Sequence, residues 1–154
     1  MQQEVEILKY THIIWDWNGT LLDDIKASLA SVNDMLELRE KAPIDIAFYK
    51  ECIGVPIIKF YEKVFELEKE DYSVIIKQYN EGYLRHLTDC SLSSGAAEML
   101  EYFAENGAKQ AIVSSSNNEH KKLLLSAISQ KVPDTRVQAA PKSTPPSWTA
   151  VWMR

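Results

Sequence analysis

A chain of 154 residues is long enough for one ordinary domain, or for a small core carrying an insertion. Hydrophobic residues make up 45% and charged residues 25%, the balance of a soluble globular protein. A formal net charge of -5 with no Lys/Arg run argues against a nucleic-acid partner, and no apolar stretch approaches the roughly 20 residues needed to span a bilayer. Met1-Gln2-Gln3-Glu4 has neither the basic start nor the apolar stretch of a secretory signal. Cys52 and Cys90 stand outside any Cys-x-x-Cys spacing and read as reduced thiols of a cytoplasmic protein. His12, His86 and His120 make no metal-ligand spacing.

The first element is an apolar run from Tyr10 to Trp15, rich in β-branched residues and closed by Asp16. Its centre, Ile13-Ile14-Trp15, is continuous rather than alternating, which predicts a strand buried on both faces of a parallel sheet. Asn18-Gly19 breaks the run as a turn. From Asp24 to about Leu87 the pattern is helical. Ile25, Leu29, Val32 and Leu36 share one helix face, and Pro43 marks the next helix start. Gly54-Val55-Pro56 separates two further amphipathic stretches, the second carrying Phe60, Tyr61, Val64 and Phe65. A last helix carries Tyr72, Ile75, Ile76, Tyr79 and Tyr83, aromatics that read as bundle core.

After Ser93-Ser94-Gly95 a helix with Leu100 and Phe103 inward ends at Gly107, and a strand follows at Ala111-Ile112-Val113. Ser114-Ser115-Ser116 comes directly after it. Ser116 and Glu119 form a capping box opening a helix to about Ser129. The rhythm predicts an α/β fold, a right-handed parallel sheet with a helical insert after its first strand. From about Lys131 the character changes: no Gly, four of the six prolines and one acidic residue, Asp134. Gln138 to Pro146 has neither period and is expected to be disordered.

Asp16-Trp17-Asn18-Gly19-Thr20 lies where a buried parallel strand emerges, the place where ligands bind in such sheets. A carboxylate there can act as nucleophile or hold a hard cation such as Mg²⁺. Gly19 allows a tight turn in which successive N–H groups face an anion. An Asp that only caps the turn is the plainer alternative.

Ile13 through Asp24, with Asp16-Trp17-Asn18-Gly19-Thr20-Leu21-Leu22-Asp23 at its centre, closely resembles motif I of the haloacid dehalogenase superfamily. Ser114 after its short strand resembles motif II. The helices between them resemble the cap of the phosphoglycolate phosphatase-like branch, and Ser94 to Leu100 resembles the return to the core. The resemblance covers roughly residues 11 to 130. It implies a partial Rossmann-like core (1–22 and 90–130) with an inserted helical-bundle cap (23–88), its C-terminal strands absent and a disordered or aberrant tail at 131–154. It also implies a Mg²⁺-dependent phosphatase. Asp16 would attack phosphorus to form an aspartyl-phosphate, and Mg²⁺ would bridge Asp16, the Asn18 carbonyl and the substrate. Ser114 would bind a phosphoryl oxygen, with Trp17, Thr20, Ser115 and Gly54 as further substrate contacts. The implied partner is a small phosphorylated metabolite, with no nucleic acid, no membrane and an oligomeric state left open.

Two departures from the family pattern stand out. The family's phosphatases carry a second Asp two residues after the nucleophile, to protonate the leaving alcohol. Here Asn18 stands there and cannot titrate. The family also completes its site with a later Lys and acidic residues on further strands. No acidic pair follows residue 130, and Lys142 in a Pro-rich stretch reads as a solvated lysine. The sheet is therefore expected to end in an open apolar edge, and the composition switch resembles a frameshift or a misjoined exon. Two other readings stay open: an inactive fragment whose helical part serves as an interaction module, and phosphonate or haloacid chemistry through Asp16.

Overall fold

The computed structural model of the chain describes residues 10–114, 138–139 and 149–153, the last two segments as backbone. The chain divides into two compact units, one formed up to Asp23 and again from Ser91, the other from Asp24 to Cys90. The fold is α/β, a partial Rossmann-like sheet interrupted by a helical insert.

In the first unit, β1 (His12–Asp16) runs parallel to β4 (Lys109–Ser114), with Asp16 opposite Val113. This register puts the carboxyl ends of two neighbouring parallel strands side by side. Helix α5 (Ala96–Glu105) precedes β4, and Gly107 at φ 77 ends it. The Gly107 N–H donates to the Ala104 carbonyl and the Ala108 N–H to that of Phe103, the paired bonds of a Schellman stop. One glutamine ties these three elements together. Gln110 Oε1 accepts the Trp15 indole N–H at 2.8 Å, and its Nε2 donates to the Leu100 carbonyl at 2.9 Å. The Trp15 ring meets Phe103 edge-on at 5.8 Å. Helix α5 therefore covers the face carrying Ile13, Trp15, Gln110 and Ile112. β2 (Leu22–Asp23) and β3 (Ser91–Leu92) form a short antiparallel ladder, where the chain leaves and re-enters this unit.

Three expectations for the sheet differ from this structure. β1 is not buried on both faces: among the described residues it is an edge strand of its sheet, and Ile14 is 73% exposed. The continuous burial belongs to β4, which is flanked on both sides. The tail segment expected without regular structure contributes β5 (Gln138–Ala139) and β6 (Thr149–Met153). β6 pairs antiparallel with β4 from Gln110↔Met153 to Ser114↔Thr149, so the edge expected to stay open is occupied. Thr149-Ala150-Val151-Trp152 is β-prone, and an unpaired row of backbone groups on a buried strand is costly. The helix expected from Ser116, with Ser115, and Lys142 lie outside the described residues.

The second unit holds α1 (Ile25–Glu37), α2 (Ile46–Cys52), α3 (Ile58–Val64) and α4 (Tyr72–His86), followed by a 3-10 turn at Leu87–Asp89. Its core gathers Val32, Met35, Leu36, Tyr49, Phe60, Tyr61, Val64, Phe65 and Ile75, with Ile25, Leu29, Tyr72, Ile76 and Tyr79 packed around them. The four-three-four spacing of α1 thus does face the core. Helices α1 and α4 approach closely because Gly82 has no side chain: a Cβ there would lie 2.5 Å from Ser31 Oγ. Ser31 Oγ itself donates to the Tyr79 carbonyl at 2.7 Å. Pro43 does not open α2. Asp45 does, its carboxylate accepting the Phe48 N–H at 2.8 Å, a bond that proline cannot supply.

Arg39, just past α1, organises the far end of this unit. It donates to both Glu70 oxygens, to the Met35 carbonyl at 2.7 Å and to Gln78 Oε1 at 2.8 Å, and it lies over the Phe65 ring. The Arg39 guanidinium holds the Glu70 carboxyl below its ordinary value. At the start of α1, buried Asp24 accepts the Tyr83 hydroxyl at 2.6 Å. Burial and this carboxylate push the Tyr83 hydroxyl well above the ordinary tyrosine range. Among the described residues no helix is long and apolar enough to cross a membrane.

Candidate active site

The strand register brings together what is far apart in sequence. Asp16 closes β1, and Ser114 closes β4 one residue beyond the position opposite Asp16. Ser114 is 1% exposed, and its Oγ donates to Asn18 Oδ1 at 3.1 Å. The Asp-x-Asn segment and the strand-end serine therefore form one polar cluster at the carboxyl edge of the sheet, where α/β folds place their ligands. Asp16 is exposed there.

The turn between Asp16 and Leu22 is held by its own backbone. Gly19 takes φ 70, a conformation that costs a residue with a Cβ. Its N–H donates to the Leu22 carbonyl at 3.0 Å, and the Leu22 N–H to that of Trp17 at 2.9 Å. Thr20 and Leu21 donate to the Trp17 and Asp16 carbonyls at 3.4 Å. The expectation that successive N–H groups of this turn face an anion is therefore corrected at these four positions: their protons close the turn. The Trp17 N–H is different, since it donates to the Asp16 carboxylate at 2.9 Å.

The remaining sequence candidates separate. Trp17 is completely buried, and its indole Nε1 has no hydrogen-bond partner among the described residues. Its ring is core, and what it offers the site is its main chain. Thr20 is exposed on the turn. Gly54 lies in the second unit, exposed between α2 and α3. Ser115 is outside the described residues.

Sequence reasoning missed Gln110. A lone amide between Lys109 and Ala111 carries no periodic or motif signal, and only its two bonds show that it fixes β1, β4 and α5 in register. It also missed the Asp24–Tyr83 pair, whose partners are 59 residues apart.

For a cation, the cluster offers the Asp16 carboxylate and the Asn18 main-chain carbonyl. No group of three or more His, Cys, Asp or Glu side chains that could hold a metal exists among the described residues. One carboxylate and one carbonyl, both hard oxygen donors, fit an ion such as Mg²⁺, which keeps several waters and takes substrate phosphate oxygens as ligands.

The family model for haloacid dehalogenase-like hydrolases matches residues 13–133. Comparison with curated protein sequences gives no match. Among solved structures, a hydrolase from Streptococcus pneumoniae TIGR4 superposes with a TM-score of 0.56 at 24% identity, over 79% of this chain and 62% of its own. A predicted phosphoglycolate phosphatase from Haemophilus somnus 129pt gives 0.57 at 18% identity, over 79% and 58%. A predicted phosphatase from Clostridium acetobutylicum gives 0.62 at 19%, over 80% and 57%. The chain thus spans about three fifths of the length of the structures it resembles. At these identities the likeness is one of fold, while the family match takes in Asp16, Asn18 and Ser114 together. The chain belongs to the haloacid dehalogenase-like hydrolase family.

Proposed function

We propose that the chain carries the nucleophile half of a phosphatase for a small phosphorylated metabolite, acting through an aspartyl-phosphate on Asp16. The observation that carries this reading is the Ser114–Asn18 hydrogen bond, which joins the two strand ends into one cluster beside an exposed carboxylate. Asp16 Oδ attacks phosphorus in line, and the leaving oxygen departs on the opposite side. Ser114 Oγ, whose proton points to Asn18 Oδ1 in the free chain, would turn it to a phosphoryl oxygen as charge moves there, while the Trp17 N–H steadies the attacking Asp16 carboxylate. Asp16 and the Asn18 carbonyl would hold Mg²⁺, which when bound offsets the repulsion between the phosphate and the Asp16 carboxylate. The helical unit, residues 24–90, is the insert that the family resemblance reads as a cap, and Gly54 is its candidate substrate-contacting loop residue. Phosphoglycolate phosphatase is the activity assigned by prediction to three structural neighbours and gives the first compounds to assay. The low net charge of -5 and the two free cysteines support a cytoplasmic metabolite enzyme with no nucleic-acid or membrane partner.

The test is Mg²⁺-dependent phosphate release from a panel of small phosphomonoesters, with Asp16→Ala beside the unsubstituted chain. The expected result is release that Asp16→Ala abolishes; release that survives this substitution removes Asp16 from its role. A second reading is favoured by the core of the helical unit, which draws all its members from residues 25–79. In that reading the chain does no chemistry and the helical unit is an interaction module. Absence of phosphate release, together with capture of a partner by the 154-residue chain, would favour it.

A further inference from the structure

We infer that this site suits phosphate compounds whose leaving oxygen departs as a stable anion, namely aryl, enol and acyl phosphates, over phosphate esters of simple alcohols. The inference rests on the phosphatase reading and narrows it. As Asp16 attacks, a bond forms between its carboxylate oxygen and phosphorus. The bond from phosphorus to the leaving oxygen breaks, and that oxygen keeps the electron pair. An alkoxide is too basic to depart in this way unless a proton reaches it, and a positioned proton donor contributes about 10²–10⁴-fold. A phenolate, enolate or carboxylate needs no such proton.

Among the described residues, the groups that the strand register gathers at the reacting end are Asp16, Asn18 and Ser114. Asp16 is the attacking group. Ser114 Oγ, buried, directs its proton to Asn18 Oδ1 at 3.1 Å. That bond also sets the carboxamide: its oxygen faces Ser114, so Nδ2 is the end with which Asn18 donates. An amide N–H can stabilise charge on a leaving oxygen, but it does not titrate and has no proton to transfer. The next carboxylate along this unit, Asp23, is exposed in the β2–β3 ladder opposite Ser91.

The second half of the reaction meets the same limit. A water oxygen bonds to phosphorus, the bond to Asp16 breaks and returns its carboxylate, and the water proton passes to the released phosphate. Asn18 cannot take that proton, so the aspartyl-phosphate persists between the two steps.

The test uses the whole 154-residue chain with Mg²⁺. Initial rates are measured on 2,4-dinitrophenyl phosphate, 4-nitrophenyl phosphate, acetyl phosphate and glycerol 3-phosphate, and the intact protein is weighed during turnover. Expected are rates on the aryl and acyl compounds at least about 10²-fold above glycerol 3-phosphate. A mass increment of one phosphoryl group should also appear, and be absent in Asp16→Ala. Asn18→Asp should raise the alkyl-to-aryl rate ratio by about 10²-fold. Glycerol 3-phosphate turned over as fast as the others, or a ratio unmoved by Asn18→Asp, overturns this inference and leaves the phosphatase reading standing. No phosphate from any of the four compounds overturns both.

Discussion

The two units of this chain are stabilised by different kinds of contact. The helical unit closes on itself: four helices bury an aromatic and aliphatic core, in which Tyr49 meets Phe60 edge to face and Phe60, Tyr61 and Phe65 pack at a tilt. Among the described residues the sheet unit has fewer buried side chains and depends on placed hydrogen bonds. Gln110 ties strand to strand and strand to helix, and Ser114 joins Asn18. Non-directional burial tolerates small shifts, whereas a hydrogen bond of 2.8 Å does not. The unit that brings Asp16, Asn18 and Ser114 together is the one built from directional contacts.

Substitutions that separate chemistry from stability sharpen this contrast. The largest expected effect is on rate: Asp16→Ala should lower phosphate release by roughly 10⁴-fold or more. Because the side chain is exposed, unfolding free energy should move by less than about 0.5 kcal/mol in the same variant. A large drop in melting temperature would mean that Asp16 is a structural cap. Phe60→Ala removes a fully buried ring between Tyr49 and Tyr61, and should cost about 3–5 kcal/mol. Urea unfolding followed by helical circular dichroism reads it; a loss under 1 kcal/mol, on the order of a surface change, would deny the helical core its role.

Gln110→Ala leaves the Trp15 indole N–H and the Leu100 carbonyl without these partners, at a cost of about 1–3 kcal/mol. Tryptophan fluorescence during unfolding should report it, and phosphate release should fall with it as β1 and β4 lose register. The smallest effect is pH-dependent. Glu70 titrates below its ordinary value because Arg39 binds its charged form, so in acid the unfolded chain takes up the proton first. Its contribution is therefore present above about pH 4.3 and disappears as pH falls through the lower, folded value. Glu70→Gln should cost under about 1 kcal/mol at pH 6 and close to nothing at pH 3, as compared by urea midpoints. An equal loss at both values would show that the pair does not act through charge.

Legibility of the two units differs in the same sense. The helical faces were readable because burial repeats every three to four residues, and Ile25, Leu29, Val32 and Leu36 all turn to the core as spaced. Asp16 and Ser114 were readable because each closes an apolar run. Their closeness was not, since it depends on the pairing of His12–Asp16 with Lys109–Val113. Strand exposure was misread at Ile14 for the same reason: a central and an edge strand can share one composition, and only the neighbours decide. The turn amides were misassigned because a glycine turn that faces an anion and one that bonds itself have the same sequence. β6 was invisible among prolines, since its pairing with β4 leaves no trace in periodicity.

The ladder of Leu22–Asp23 against Ser91–Leu92 has a consequence for how such a chain can change over generations. The stem of the insert is a pair of adjacent strands, so what lies between can grow, shrink or be exchanged without the sheet being redrawn. A tight hairpin turn grafted onto that stem would still let β1, α5 and β4 be made in order. The stem is thus a splice point at which selection can trade one insert for another while Asp16 and Ser114 stay put.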